Sequence, residues 1–483
     1  VFNHFSFARI AIGALVLALL PLSIQAEVGR ELGQASGDEA ESLSLGFLLQ
    51  RAIQTHPQVD AGRADVRSAT QGVKSARWQY FPTPAVSYQR AFADDNDPSF
   101  QGDDYATVVS LEQPLWTGGR LRSGIQGARA NLEVSKATLE ESQRELAFRV
   151  VQTYGDWLSA SLQRQSLAIS EERHQTLFEQ VERRAAGGVS TGSDLELARG
   201  RLQSVKADRV ATAAREYRAL AVLSELVGLP LNSEALELGR EGYPHLPSGT
   251  ESELISIGMQ VAPAIRRAEA DIRAARAEIK SRRSQTRPDL FVRFERQFNN
   301  LQFANRGPDS RVLVGVRSQL GAGLSSFSGV SEARESLGAA IASRDGAELM
   351  IREQIRSDLA LVESFDLRLK ALDVATKTAQ DVYESYERQF LTGRKSWLDV
   401  MNSARDLQQA RLQLAGCDSR TFDAGLAAVR ATQFVTRDLA EYPDLAEYLD
   451  LVRVGLALND RLCLAPLVAS NYRVGGLRTP PVT

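Results

Sequence analysis

Residues 120 to 186 contain no proline, and a second proline-free run extends from about 323 to 391. In the first run Leu132, Leu139 and Leu146 recur at sevenfold spacing, joined by Phe148, Val151, Tyr154 and Leu158; in the second, Ile351, Ile355 and Leu359 recur at fourfold spacing. Such spacing puts the apolar side chains on one side of a helix laid along neighbours in coiled-coil fashion. At 1.5 Å per residue each helix extends roughly 100 Å, several times the width of a small domain. A rod of that length cannot bury its own apolar stripe. Its surroundings must include other long helices, from elsewhere in the chain or from further copies of it.

The chain also contains itself twice. A shift of 206 positions lays Pro57 on Pro263, Ala64-Asp65-Val66-Arg67 on Ala270-Asp271-Ile272-Arg273, Pro82 on Pro288 and Arg90 on Arg296. A shift of 205 then lays Glu182-Arg183 on Glu387-Arg388, Gly188 on Gly393, Asp194 on Asp399 and Leu202 on Leu407. Turn-forming residues agree as well as helix-forming ones, so the match reflects a repeated unit. Each copy reads helix, strand pair, very long helix, tight turn, helix. In the first copy a helical stretch over 45–80 ends at Phe81-Pro82, strands occupy 85–92 and 105–112, and Pro114 with Gly118-Gly119 marks the strand-to-helix turn.

Within the strands apolar and polar residues alternate. Leu290, Val292 and Phe294 oppose Arg293 and Glu295; Val312, Val314 and Val316 oppose Leu313, Gly315 and Arg317; Val86 and Tyr88 oppose Ser87 and Gln89. This suits strands with lipid on one side and water on the other, and a sandwich edge equally well. Four strands are too few for a closed barrel, while open strand edges are not tolerated in hydrocarbon. A membrane reading therefore needs several chains in one sheet: two, three and four copies supply eight, twelve and sixteen strands. The polar stretches Asp94–Asp104 and Asn299–Ser310 are the expected hairpin ends. The start of the chain, Arg9 followed by an apolar run from Ile10 to Leu20, Pro21 and a small residue at Ala26, reads as a secretory signal peptide over 1–26.

A formal net charge of -3, with 43% hydrophobic and 24% charged residues, excludes a disordered tail and a basic nucleic-acid binder. Cys417 and Cys463 are the only cysteines. They make neither a disulfide framework nor a C-x-x-C motif. His4, His56, His174 and His245 lack metal-ligand spacing, His56-Pro57 reads as a helix start, and Gly118-Gly119 lacks the context of a phosphate loop. No catalytic, cofactor or metal site is expected. At the two helix-to-helix turns Gly188, Gly192 and Gly393 punctuate the chain, and Asp194 and Asp399 follow where a carboxylate favours a helix start. They read as capped hairpins, and equally as a charged ring if several chains converge there.

Several of these segments, taken in order and twice over, resemble the TolC-like outer-membrane efflux and secretion family. They are Ala52-Ile53-Gln54-Thr55-His56-Pro57, Ala76-Arg77-Trp78-Gln79-Tyr80-Phe81-Pro82, Gln113-Pro114-Leu115-Trp116-Thr117-Gly118-Gly119-Arg120, and the turns around Gly188–Leu195 and Gly393–Val400. The resemblance implies a mainly α chain with a small β part. In a homotrimer, four strands per chain form a twelve-stranded outer-membrane β-barrel, continued by a long α-helical barrel in the periplasm of a Gram-negative bacterium. It implies a passive exit channel in contact with outer-membrane lipid, joined by a periplasmic adaptor to an inner-membrane ABC transporter or a proton-driven efflux pump. His-Pro near the first helix and Pro-Leu-Trp-x-Gly-Gly-Arg look most like type I secretion components, with small-molecule efflux the runner-up. A periplasmic coiled-coil scaffold and a soluble adaptor are the alternatives of another class.

The same resemblance casts Asp399 as a constriction-ring acid, Lys395 as a basic latch residue and Asp194 as its acidic partner. Gly188, Ser190, Gly192, Gly393 and Ser396 become adaptor-docking tips. Asn402 stands where relatives carry a second acid and Phe390 where they carry a latch tyrosine, so that hydroxyl is missing. Ser318-Gln319-Leu320-Gly321 replaces the second copy's Pro-Leu-x-x-Gly-Gly, so an irregular strand-to-helix junction is expected there. The expected organisation is a signal peptide at 1–26, a linker at 27–43, a first repeat at 44–227, a linker at 228–251, a second repeat at 252–432 and a tail at 433–483.

Overall fold

Propensity and periodicity carry the long helices to their full expected length. A computed structural model describes residues 43–92, 102–236, 250–303, 307–318 and 325–432, which belong to one compact unit beginning at Leu43. The expected signal peptide, nearly all of the linker over 27–43, most of the linker over 228–251, most of the first hairpin end, residues 319–321 of the second junction and the tail lie outside the described residues.

The first copy comprises α1 (Leu45–Thr55), α2 (Pro57–Trp78), β1 (Thr83–Arg90), β2 (Tyr105–Trp116), α3 (Arg120–Ala186) and α4 (Gly192–Val227). The second repeats it as α5 (Glu251–Val261), α6 (Pro263–Gln285), β3 (Asp289–Phe298), β4 (Asp309–Arg317), α7 (Ser325–Leu391) and α8 (Trp397–Thr432). Both α3 and α7 are 67 residues long. The helical stretch expected over 45–80 is two helices, because Pro57 has no N–H to continue the first and fits the opening turn of the second. His56 caps α2, its Nδ1 accepting from the Gln58 N–H at 3.2 Å.

β1 lies two residues earlier than the expected 85–92 at the same length, and β2 is longer than the expected 105–112. β2 runs on to Trp116, so Pro114, expected in the strand-to-helix turn, lies inside the strand, at a register shift between Pro114 and Trp116. A bulge tolerates a residue without an N–H. The turn itself is Thr117-Gly118-Gly119, with φ of +58° at Gly118 and +100° at Gly119. A Cβ on Gly118 would lie 2.9 Å from Arg287 Cβ, and Arg287 Nη1 donates to the Gly118 carbonyl at 3.1 Å. The two copies are thus seamed where helix becomes strand.

All four strands form one antiparallel sheet in the order β1-β2-β3-β4. Register puts Pro84, Leu111, Phe294 and Val312 in one row, with Gln113, Val292 and Val314 and then Trp116, Leu290 and Val316 in the rows nearer the helices. This face is apolar and exposed in the single chain: Val86 and Val314 are each 71% exposed. The opposite face carries an ion-pair ladder. Glu112 holds Arg293 and Arg317, and Glu295 holds Arg293 and Arg311. Phe291 lies across Gly315 on that face, between Arg293 and Arg317. β1 and β4 leave one edge each unpaired in this sheet.

Two apolar clusters hold the helices. One joins α1, α2, α3 and α4 around Trp157, Tyr154, Leu146 and Val150, with Leu48, Val59 and Leu223 packed on them. Trp157 is fully buried and donates to Ser233 Oγ at 3.2 Å, while Ser233 Oγ in turn donates to Glu216 Oε1 at 2.8 Å. The second cluster joins both repeats near the turns: Leu177, Val181 and Ala198 meet Tyr383, Phe390, Val400 and Leu407. α3 packs on α2, α4, α6 and α8. α7 instead leaves Leu349, Met350, Leu367 and Val374 largely exposed. An apolar stripe of that extent on a 67-residue helix marks an interaction surface.

Candidate functional site

The two helix-to-helix turns are built alike. α3 ends at Ala186, and the chain reverses through Gly188 at φ +73°; α7 ends at Leu391 and reverses through Gly393 at φ +74°. Each glycine takes the left-handed conformation that releases the helix C-terminus. The Val189 N–H donates to the Arg184 carbonyl at 2.8 Å, and the Arg394 N–H to the Gln389 carbonyl at 2.9 Å. Gly192, expected in the first turn, is the first residue of α4. Ser190 lies in the turn, its N–H donating to the Arg184 carbonyl at 3.3 Å.

Both candidate acids cap the helix that follows. The Thr191 N–H donates to Asp194 Oδ2 at 3.0 Å while Thr191 Oγ1 accepts from the Asp194 N–H at 3.2 Å. In the second turn the Ser396 N–H and hydroxyl donate to Asp399 Oδ2 at 3.2 and 2.8 Å, and Ser396 Oγ accepts from the Asp399 N–H at 3.2 Å. These are reciprocal capping boxes. Hydrogen bonds from Ser396, first from its side chain and then its backbone, hold Asp399 below its ordinary carboxylate value, and the Lys395 charge adds to them. Asp194 is lowered by the Thr191 backbone, then the Thr191 side chain, with a smaller contribution from the Trp397 side chain. Both carboxylates are half-buried anions at neutral pH.

Within one chain Lys395 rests on an aromatic ring, its Nζ 4.3 Å from the centroid of Tyr386. Asp194 takes Thr191 and Trp397 as partners, and the Trp397 contact ties one turn to the other. Phe390 is buried in the second cluster with the Arg184 guanidinium 4.7 Å from its centroid. The guanidinium and the ring make a cation–π contact between α3 and α7. Asn402 is exposed on the first turns of α8.

Sequence reasoning missed the polar layer beneath. His174 is buried, its Nδ1 2.8 Å from the Ser170 carbonyl, and Ser170 Oγ donates to Gln408 Oε1 at 2.9 Å across to α8. Burial, opposed by the Ser170 bond and assisted by Arg201 and Arg173, lowers His174. Arg411 is buried and donates to Gln380 at 3.0 Å; burial first, then Arg173, pushes its guanidinium down to about 10. Tyr383, Tyr386 and Phe390, three and four residues apart, were the available signal for an aromatic stripe beside the tip.

The site combines anionic turns and a lysine parked on an aromatic ring, and the charged sheet face lies at the other end of α3 and α7. The site's groups can attract, repel and grip. No helix among the described residues is long and apolar enough to cross a membrane.

The profile of a family described as outer membrane efflux protein matches residues 48–229 and 254–427. Over 151 residues the chain is 31% identical to protein CyaE of Bordetella pertussis, a match covering 30% of this chain and 29% of that one, under a third of the relative's length. Among solved structures the fold is similar to the outer membrane protein VceC of Vibrio cholerae, with a TM-score of 0.69 at 16% identity over 80% of this chain and 95% of that one. It is also similar to the CmeC outer membrane channel of Campylobacter jejuni, with a TM-score of 0.72 at 14% identity over 83% and 90%. The open state of the MtrE outer membrane channel of Neisseria gonorrhoeae gives 0.66 at 17% identity over 86% and 97%.

Proposed function

We propose that this chain, which belongs to the outer membrane efflux protein family, works as a homotrimer forming the exit channel of a type I secretion machine. The family comprises channels of the outer membrane and not enzymes, so its task is passage rather than chemistry. The observation that carries the reading is the single sheet with two open edges, one apolar exposed face and one ion-paired face. Hydrocarbon requires those edges to be paired, and pairing β4 of one copy with β1 of the next satisfies both. Four strands from each of three copies make twelve.

The apolar face then meets lipid, and the ladder of Glu112, Arg293, Glu295, Arg311 and Arg317 lines the water-filled passage. α3, α4, α7 and α8 continue the wall into the periplasm. At its end the three Asp399 carboxylates form an acidic ring that favours cations and slows anions by field alone. Lys395 of one tip and Asp194 of a neighbouring one hold the tips together when no partner is docked. Gly188, Ser190, Gly393 and Ser396 present the turns to a periplasmic adaptor, which splays them and connects the channel to an inner-membrane ABC transporter.

Type I secretion is preferred over small-molecule efflux because of the His56-Pro57 segment and the run from Pro114 to Arg120, which resemble secretion components. Native mass spectrometry of the detergent-extracted protein is expected to give three chains, and crosslinking from Ser190 and Ser396 to capture an adaptor with an ABC transporter. A stable soluble monomer would end the channel reading. Capture of a proton-driven pump through the same positions would replace secretion by efflux.

A further inference from the structure

Among described strand residues the outward face of the sheet carries two charges, and they are equivalent under the internal duplication. Arg90 on β1 and Arg296 on β3 are separated by 206 positions, as are Phe92 and Phe298. Each guanidinium lies over the ring two residues on, at 5.1 Å for Arg90 over Phe92 and 5.2 Å for Arg296 over Phe298. Register puts Arg90 opposite Tyr105 and Arg296 opposite Val109, on the same side as Leu111, Phe294 and Val312. Tyr88 and Tyr105 stand between them with ring centroids 5.8 Å apart.

The contrast with the inward face is chemical. Arg293, Arg311 and Arg317 each hold a carboxylate. Arg90 and Arg296 are exposed and hold none among the described residues. Arg90 closes β1 at the end of the strands away from the helices, since β1 leaves α2 at Thr83 and β2 enters α3 after Trp116. Arg296 stands two residues short of the same end of β3, one residue pair beyond Phe294, and its long side chain reaches the boundary by snorkelling. With the helices in the periplasm, that end lies in the outer leaflet. An arginine on a lipid-facing strand is costly in hydrocarbon and cheap at the boundary, where aromatic residues also collect. A planar guanidinium fixed on an aromatic ring there presents its N–H groups to an oxyanion.

We propose that Arg90 and Arg296, each backed by its phenylalanine, form a binding site on the barrel's outer rim for phosphate groups of the anionic glycolipid of the outer leaflet. The site repeats in every copy, so a trimer carries a belt of them. The proposal rests on the sheet being a membrane-embedded wall. The phosphate-bearing lipid is favoured over a protein partner because the two cations sit above a wholly uncharged apolar surface, which matches a headgroup above acyl chains.

The test uses the full-length trimer in phosphatidylcholine nanodiscs doped with bis-phosphorylated lipid A or with its dephosphorylated form, and lipid retention is read by native mass spectrometry. Wild-type trimers are expected to retain the phosphorylated form selectively. The double variant Arg90→Gln, Arg296→Gln should lose roughly thirty-fold in retention, from about five-fold per arginine near a charged surface. Arg90→Lys with Arg296→Lys should recover part of it. Equal retention by wild type and the Gln variant, or equal retention of the two lipids, overturns the proposal while leaving the channel intact. Failure of wild-type trimers to enter nanodiscs at all overturns the membrane reading, and the proposal with it.

Discussion

Leu111 and Ser110 are neighbours on β2 with opposite fates. Leu111 faces outward in the row of Pro84, Phe294 and Val312, whereas Ser110 faces inward opposite Glu295. β2 is 12 residues long. At ~3.3 Å per residue it extends roughly 40 Å, and a tilt of about 40° reduces that to a height of about 30 Å, which matches a hydrocarbon core. Leu111 stands near the middle of that height. Arginine on the lipid face at the midplane costs about 2–4 kcal/mol, and three copies in one barrel bring the cost to roughly 6–12 kcal/mol per trimer. Arginine at Ser110 faces water with a carboxylate opposite, at a cost near zero. Leu111→Arg should therefore abolish folded trimer in the outer-membrane fraction, and Ser110→Arg should leave it unchanged. The amount of folded trimer in the extracted outer-membrane fraction reads the difference. Equal assembly of both variants, or greater damage from Ser110→Arg, would refute the assignment of faces.

At the tips, Lys395→Gln should raise single-channel conductance in planar bilayers and Asp399→Asn should mainly lower cation preference; no change in either, with trimer verified, reduces both residues to turn structure. Trp157→Ala removes a fully buried ring and the hydrogen bond it donates to Ser233 Oγ, so urea unfolding should show a loss of about 3–5 kcal/mol, and a loss below about 1 kcal/mol would contradict the packing described. Because His174 is held below its ordinary value, the folded chain takes up that proton later than the unfolded chain. Its neutral form supports the fold fully above about pH 6.5, and the support is lost as pH falls through the folded value. Thermal unfolding should weaken on acidification below that point in the wild type and less so in His174→Gln; parallel curves would exclude His174 as the source.

Much of the architecture was legible in local signals. The missing prolines and the apolar spacing fixed α3 and α7, because a helix satisfies its backbone internally and needs only permissive residues. The duplication announced four strands, and their alternation separated the apolar face from the charged one. Gly188 and Gly393 marked the turns, since only glycine takes a left-handed φ freely. Pro114 was misread because a bulge, which depends on the partner strand, lets a proline remain in the ladder. Gly192 was misread because the cap is Thr191, one residue earlier.

The candidate site needed the tertiary fold. Asp194 and Asp399 were visible as residues, but their roles as partners of Thr191 and Ser396 depend on backbone geometry. Lys395 on Tyr386 and Arg184 on Phe390 join residues that periodicity does not pair, and the layer of His174, Ser170 and Gln408 depends on α3 lying against α8. Periodicity reports which side of an element is apolar, because that requires only the element's own repeat. Which cation meets which ring, and which arginine keeps a carboxylate while Arg90 and Arg296 have none among the described residues, is decided by register and helix packing, contacts between residues far apart in the chain that no local repeat encodes.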